Sequence, residues 1–173
     1  MGAQVPLRIV QVAPLGFPSD QGSQVYVGGM CRALARRGHR VSLLCYGHGR
    51  GQIRGDFEVI RAPRVPGYSR LRAGPDLVKP WLDLYLAGLL ARQPADILHA
   101  HNYEAPLAAV LGRRGRRIPL FYSAHTTLEE ELPSYFEGRY GVGLARRLGW
   151  GLDRVIPRLA DHAIGLNVGM GNR

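Results

Sequence analysis

The stretch LRIVQVAPLGFPSDQGSQVYVGGMCRALARRGHRVSLLCYG, Leu7 to Gly47, decides the fold. Leu7 to Ala13 is an apolar run broken only by Arg8 and Gln11, which reads as a short buried strand. Pro14 to Gln24 is dense in Pro, Gly, Ser and Asp and reads as a long loop. From Gln24 to Arg37 the spacing is helical, with Val27, Met30, Cys31, Leu34 and Ala35 on one face. Gly38 stands where a helix end favours glycine, and Arg36 and Arg37 complement the last turn. Val41 to Cys45 is then a second strand. A strand, a helix and a strand in this order make a parallel unit.

Outward from this unit the alternation continues. Gly47 to Gly55 is polar and rich in Gly and Arg, and Phe57 to Arg61 reads as a third strand. Ala62 to Pro75 reads as a loop, and Asp76 to Arg92 as a helix in which Pro80 marks an alternative start. Ala95 to Ala100 (ADILHA) is a strand, after which Asn102 is expected to cap a helix reaching Arg114. Ile118 to Ser123 is a strand, followed by a loop or short helix, then a helix between Gly143 and Ala160. Asp161 to Leu166 is the last strand. The expected class is α/β: a Rossmann-like parallel sheet with helices on both faces. Residues 1–173 read as one such domain without internal repeat, stopping where a further helix is expected. The end therefore reads as an interruption of the fold.

Composition removes several classes. At 173 residues the chain can bury a core without disulfide or metal staples. Hydrophobic residues are 46% and charged residues 21%, which is ordinary globular usage and not that of a disordered chain. The longest charge-free apolar run, Leu84 to Ala91, falls short of the ~20 residues of a membrane span. The N-terminus lacks signal-peptide character, and Pro6 stands where a myristoylation site needs Ser or Thr. Cys31 and Cys45 are too few for a disulfide framework, so a reducing, cytoplasmic setting is expected. The net charge is +10, and Lys79 is the only lysine. Such a surface attracts phosphate-bearing substrates, anionic lipid or nucleic acid. No nucleic acid is expected, because neither a recognised module nor aromatics interleaved with the arginines is found.

In an open α/β sheet, ligands bind beyond the carboxyl ends of the strands. Four such places carry chemistry here. Gly22-Ser23 leads into the first helix, whose amides suit a phosphate, although an ordinary loop with a Ser cap is the plainer account. It is neither GxGxxG nor a Walker A loop. His99 and His101 point to the same side of one strand, with Asn102 next. His99 reads as a core histidine, whereas His101 and His125, each at a strand end, read as functional. The histidine spacing matches no standard zinc set, so no metal is expected. Ser123 and His125 lack the Gly-x-Ser-x-Gly turn of a hydrolase. Glu129, Glu130 and Glu131 suit a helix start, and one of them could orient an acceptor hydroxyl. The arginines at 113, 114, 116, 117, 146 and 147, with Arg50, Arg54, Arg61, Arg64, Arg70 and Arg72, read as a solvated surface. Trp81, Leu82, Leu84 and Tyr85 beside Lys79 read either as a core stripe or as a membrane-surface helix.

Three stretches together resemble the N-terminal domain of family 4 glycosyltransferases, which have the GT-B fold. They are Leu7 to Gly47, then ADILHAHNYEAPLAAVLGRRGRRIPLFYSAHTTLEEELP (Ala95 to Pro133), then LADHAIGLNVGM (Leu159 to Met170). The resemblance implies one half of a two-domain enzyme that transfers a sugar, with retention, to a saccharide or lipid-linked acceptor. The donor would be a nucleotide-sugar, UDP- or GDP-linked, and no cofactor is implied. Gly22 and Ser23 would lie against the donor phosphates, Ser23 replacing a frequent glycine. His125 would reach the donor sugar as the catalytic residue. His101, Asn102, Glu129 and Glu130 would lie on the acceptor side, and Asn167 replaces a frequent Ser. The C-terminal, donor-binding domain with its Glu-x7-Glu element is not in this sequence, so the chain alone is expected to be inactive. The alternative expectation is a non-catalytic partner half that docks a separate donor-binding subunit or touches an anionic membrane from its cytoplasmic side.

Overall fold

A computed structural model describes residues 5–49, 51–66, 68, 76–136 and 141–166. The expectations for Arg50, Arg70, Arg72 and Asn167 lie outside these residues. The described chain runs β1 (Arg8–Gly16), α1 (Gly22–Arg36), β2 (Arg40–Tyr46), β3 (Glu58–Arg61), α2 (Lys79–Leu90) and β4 (Ile97–His101). It continues through α3 (Ala105–Arg113), β5 (Leu120–Ala124), α4 (Leu128–Ser134), α5 (Val142–Val155), a 3-10 turn (Ile156–Leu159) and β6 (His162–Gly165).

The six strands form one sheet in the order β3-β2-β1-β4-β5-β6. Every pairing is parallel. This is the doubly wound Rossmann order, whose switch point falls between β1 and β4. The α/β Rossmann-like expectation holds.

Two cores lie on opposite faces of the sheet. On one, Val10, Val12, Leu44, Leu98, Ala100 and Leu120 pack with Leu82, Leu86 and Leu90 of α2 and Ala105, Ala108 and Ala109 of α3. On the other, Ala13, Val41, Leu43 and Cys45 pack with Val27 and Cys31 of α1. Helices α2 and α3 meet closely because Gly112 has no side chain; a Cβ there would lie 2.8 Å from the Ala87 carbonyl oxygen. Both cysteines are free and buried, and burial pushes each thiol up to about 12.

Several boundaries differ from the sequence expectation. β1 runs on to Gly16, because its pairing with β2 shifts register between Ala13 and Gly16 and then resumes. α1 starts at Gly22, two residues before the expected start at Gln24. Pro80 does sit in the first turn of α2. Asn102 caps nothing: Glu104 precedes α3, and Asn102 takes a left-handed φ of 66° that turns the chain out of β4. Asn adopts this conformation more readily than other side-chain-bearing residues. Of Trp81, Leu82, Leu84 and Tyr85, Leu82 alone belongs to the buried stripe of α2; Trp81 is 73% exposed, and Leu84 and Tyr85 are also exposed.

Within the arginine run, Arg113 pairs with Asp161 at 3.8 Å, and Arg116 is structural. Arg116 donates to the carbonyl oxygens of Gln93 at 3.0 Å, Leu90 at 3.2 Å and Arg113 at 3.2 Å. It thereby satisfies orphan carbonyls where α2 and α3 end.

Candidate active site

A cleft of about 680 Å³ opens beyond the carboxyl ends of β1, β2, β4 and β5. It lies at the switch point, where the connections leave the sheet on opposite faces. Its walls come from the loop after β1 (Ser19, Asp20, Gln21), the start of α1 (Ser23, Gln24) and the segment after β4 (Asn102, Tyr103, Glu104). His125 and Thr126 after β5, with Glu131 and Tyr135, close the far side.

Among the described residues, the amides at the start of α1 have no backbone partner. Gln21 precedes the helix in extended conformation and makes no side-chain cap. The first helical amide to find a partner is that of Val25, donating to Gln21 O at 3.0 Å. The amides of Gly22, Ser23 and Gln24 are thus the orphan donors of a helix start, where the dipole also favours an anion. A Cβ on Gly22 would meet nothing within 4 Å, so the glycine leaves open space above these amides. Gln24, which the sequence reading passed over, is buried; its Nε2 donates to Gln21 Oε1 at 2.9 Å and its own Oε1 has no partner.

His125 lines the same cleft. Burial lowers its pKa, which favours the neutral imidazole. The Tyr26 ring of α1 packs edge-on against it at 5.2 Å. His101 does not reach the cleft wall. It is fully buried behind His125, 3.4 Å from His125 Nε2 through its own Nδ1. Its Nε2–H donates to Gln11 Oε1 at 2.6 Å. His99 is likewise interior, paired with Ser123 Oγ at 2.8 Å, as a core histidine should be. Burial first, then the neighbouring His125, pulls His99 down to about 4.

Of Glu129, Glu130 and Glu131, the one that lines the cleft is Glu131. It accepts from the Thr126 and Tyr135 hydroxyls. The choice is one of helix phase. Asp153 of α5 accepts from the Leu128 and Glu129 amides, both at 2.9 Å, and so caps α4 from outside. With α4 held this way, Glu130 is exposed and Glu131 lies against the cleft. α5 approaches α4 closely at Gly149, where a Cβ would lie 2.3 Å from Leu128 O.

A second carboxylate group was not anticipated. Glu104 pairs with Lys79 at 3.7 Å, both largely buried. Burial raises the Glu104 carboxyl to about 6, against the opposing pull of Lys79. Tyr46 donates to Asp83 at 2.5 Å, and burial raises both. Tyr103 and Glu104 follow Asn102 directly beyond a strand end, and that position was the available signal. Nothing local marks Lys79 or Tyr46.

The cleft therefore brings together helix-start amides, a neutral imidazole and a carboxylate that accepts from hydroxyls. The fold and site define a doubly wound α/β domain with a ligand cleft at its switch point. The chain belongs to the glycosyl transferase 4-like domain family, which it matches over residues 21–172. It is 29% identical over 141 residues to the phosphatidyl-myo-inositol mannosyltransferase of Mycolicibacterium smegmatis, covering 76% of this chain and 34% of that protein. The Mycobacterium tuberculosis protein of the same name is 28% identical over 141 residues, with 76% and 35% covered. The chain thus spans about a third of the length of these relatives. Among solved structures, the sucrose-phosphate synthase of Thermosynechococcus elongatus superposes with TM-score 0.64 at 15% identity, covering 91% of this chain and 41% of that one. Anabaena HepE, solved with UDP and glucose, superposes with TM-score 0.53 at 16% identity, covering 91% and 37%.

Proposed function

We infer that this domain is the acceptor-side half of a retaining glycosyltransferase that moves a hexosyl group from a nucleotide-sugar to a hydroxyl of a saccharide or lipid-linked acceptor. The observation that carries this reading is the cleft itself: Ser23 and Gln24 at the uncapped start of α1 and His125 line one cavity. Transfer needs stabilisation of the departing diphosphate and an oriented acceptor hydroxyl. The α1 amides supply the first, in the manner of helix starts that bind phosphate. His125 meets the donor sugar, and Asn102 borders the acceptor. Glu131 replaces Glu129 and Glu130 as the carboxylate that receives the acceptor hydroxyl's hydrogen bond. The nucleotide is held by a second domain or a separate subunit. The mannosyltransferase relatives and the UDP complex of HepE support a nucleotide-sugar donor.

The test is His125→Ala in the complete enzyme. Loss of a positioned group at the reaction centre should lower kcat by a factor on the order of 10²–10⁴ with the fold intact. Near wild-type turnover would remove His125 from this role.

A second feature favours contact with an anionic membrane, as a lipid-linked acceptor requires. Leu77 is 91% exposed and Trp81 73% exposed, with Leu84 and Tyr85 beside them, on a chain of net charge +10. No helix among the described residues is long and apolar enough to cross a membrane. Co-sedimentation with anionic vesicles, weakened by Trp81→Ser, is the expected result; equal binding to neutral vesicles or none at low salt would exclude it.

A further inference from the structure

We propose that Gln11 is a positioning residue, the first member of a buried relay, Gln11–His101–His125, that dictates which ring nitrogen of His125 presents a lone pair. The inference rests on the reading of His125 as the residue that meets the donor sugar.

Gln11 sits in the middle of β1 and is fully buried, as is His101 at the end of β4. Its neighbours on the strand are Val10 and Val12. Half of its amide, Nε2, is buried without a partner. An unpaired buried donor is unfavourable, so stability alone does not account for an amide here. What the amide does is hold His101: its oxygen lies 2.6 Å from His101 Nε2.

The proton inventory then propagates. An amide oxygen only accepts, so His101 Nε2 carries a hydrogen. Burial, together with His99 and His125 nearby, keeps His101 neutral, so its Nδ1 is a bare acceptor. His125 Nε2 lies 3.4 Å from that acceptor and is therefore the protonated nitrogen of a neutral ring. His125 Nδ1 is left with its lone pair. Tyr26 packs edge-on against both rings, at 6.1 Å from His101 and 5.2 Å from His125, and restricts their rotation. His125 thus offers an acceptor. It suits a sugar hydroxyl and does not donate to a phosphate, which falls to the α1 amides. A hydrogen bond in the opposite sense at Gln11 would reverse every assignment along the relay.

The experiment is a two-bond 1H–15N correlation spectrum of the imidazoles, recorded near neutral pH on the full 173-residue chain labelled with 15N. The expected result is a protonated-type Nε2 and an unprotonated-type Nδ1 for both His101 and His125. Gln11→Met keeps the volume and removes the acceptor. It should lose the single-tautomer pattern, with both nitrogens of each ring moving towards averaged shifts. The reverse tautomer in the wild-type chain, or an unchanged pattern in Gln11→Met, overturns the proposal. If Gln11→Met does not fold, the wild-type spectrum decides. In the complete enzyme Gln11→Met should lower kcat about ten-fold with KM retained, the loss typical when a partner that orients a functional imidazole is removed. An equal fall in kcat and rise in KM would contradict the relay. Unimpaired His125→Ala with the wild-type tautomer pattern present would instead break the reading of His125 and leave the relay standing.

Discussion

The two faces of the sheet are built on opposite terms. Towards α2 and α3 the strands present Val10, Val12, Leu98, Ala100 and Leu120, all apolar and buried. The alternate positions of the same strands include Gln11, His99, His101 and Ser123, buried and polar, beside the buried apolar Ile9 and Ala13. One step along a strand changes the face and the purpose. The apolar face contributes hydrophobic stability. On the other face His99 pairs with Ser123, and Gln11 pairs with His101 in a chain that ends at His125 in the cleft. The contrast teaches that buried polar residues on one side of central strands mark the side from which the site is supported.

Leu98→Ala should break the apolar face most. It empties a fully buried side chain and should cost about 2–5 kcal/mol in denaturant unfolding. Turnover per folded molecule should not change, since Leu98 faces away from the cleft. Loss of specific activity in the folded fraction would contradict the division of labour.

The polar face should reveal itself through acid. His99 is held near 4 in the folded chain, below its ordinary 6.5. The folded state therefore prefers the neutral ring, and between these values only the unfolded chain takes up the proton. Stability is complete above about pH 6.5 and falls as pH drops towards 4, by at most on the order of 3 kcal/mol from this ring. His99→Leu should flatten that fall in melts at pH 7 and pH 5. An unchanged pH slope in the variant would assign the acid sensitivity elsewhere.

The smallest effect tests the join between α4 and α5. Asp153→Ala removes the external cap of α4 and should cost about 1–2 kcal/mol. Because that cap sets which glutamate faces the cleft, kcat should fall more than Tm alone implies. A lower Tm with unaltered kcat would show that Glu131 is placed by other contacts.

Much of the fold was legible. The apolar strand runs, the α1 stripe and Gly38, with its φ of 87°, are local features, and each appears where its spacing placed it. His125 was legible because strand ends are where such sheets bind ligands. The failures share a cause. Asn102 looked like a cap because it precedes a helix, yet its left-handed turn is set by the exit of β4. Trp81 and Tyr85 looked core-facing because apolar content does not report which side of a helix is covered. Glu129, Glu130 and Glu131 are equivalent in composition, and only the docking of α5 on α4 distinguishes them.

The sequence by itself determined the order of elements, the parallel sheet and the strand-end positions of His101, Asn102 and His125. These follow from periods of 2 and 3.6 residues, which are local properties of the backbone. The tertiary structure alone decided that Gln11 meets His101, 90 positions away, that His101 lies behind His125, and that Lys79 meets Glu104. Those pairs depend on which strands are neighbours and in what register, and no local spacing encodes either.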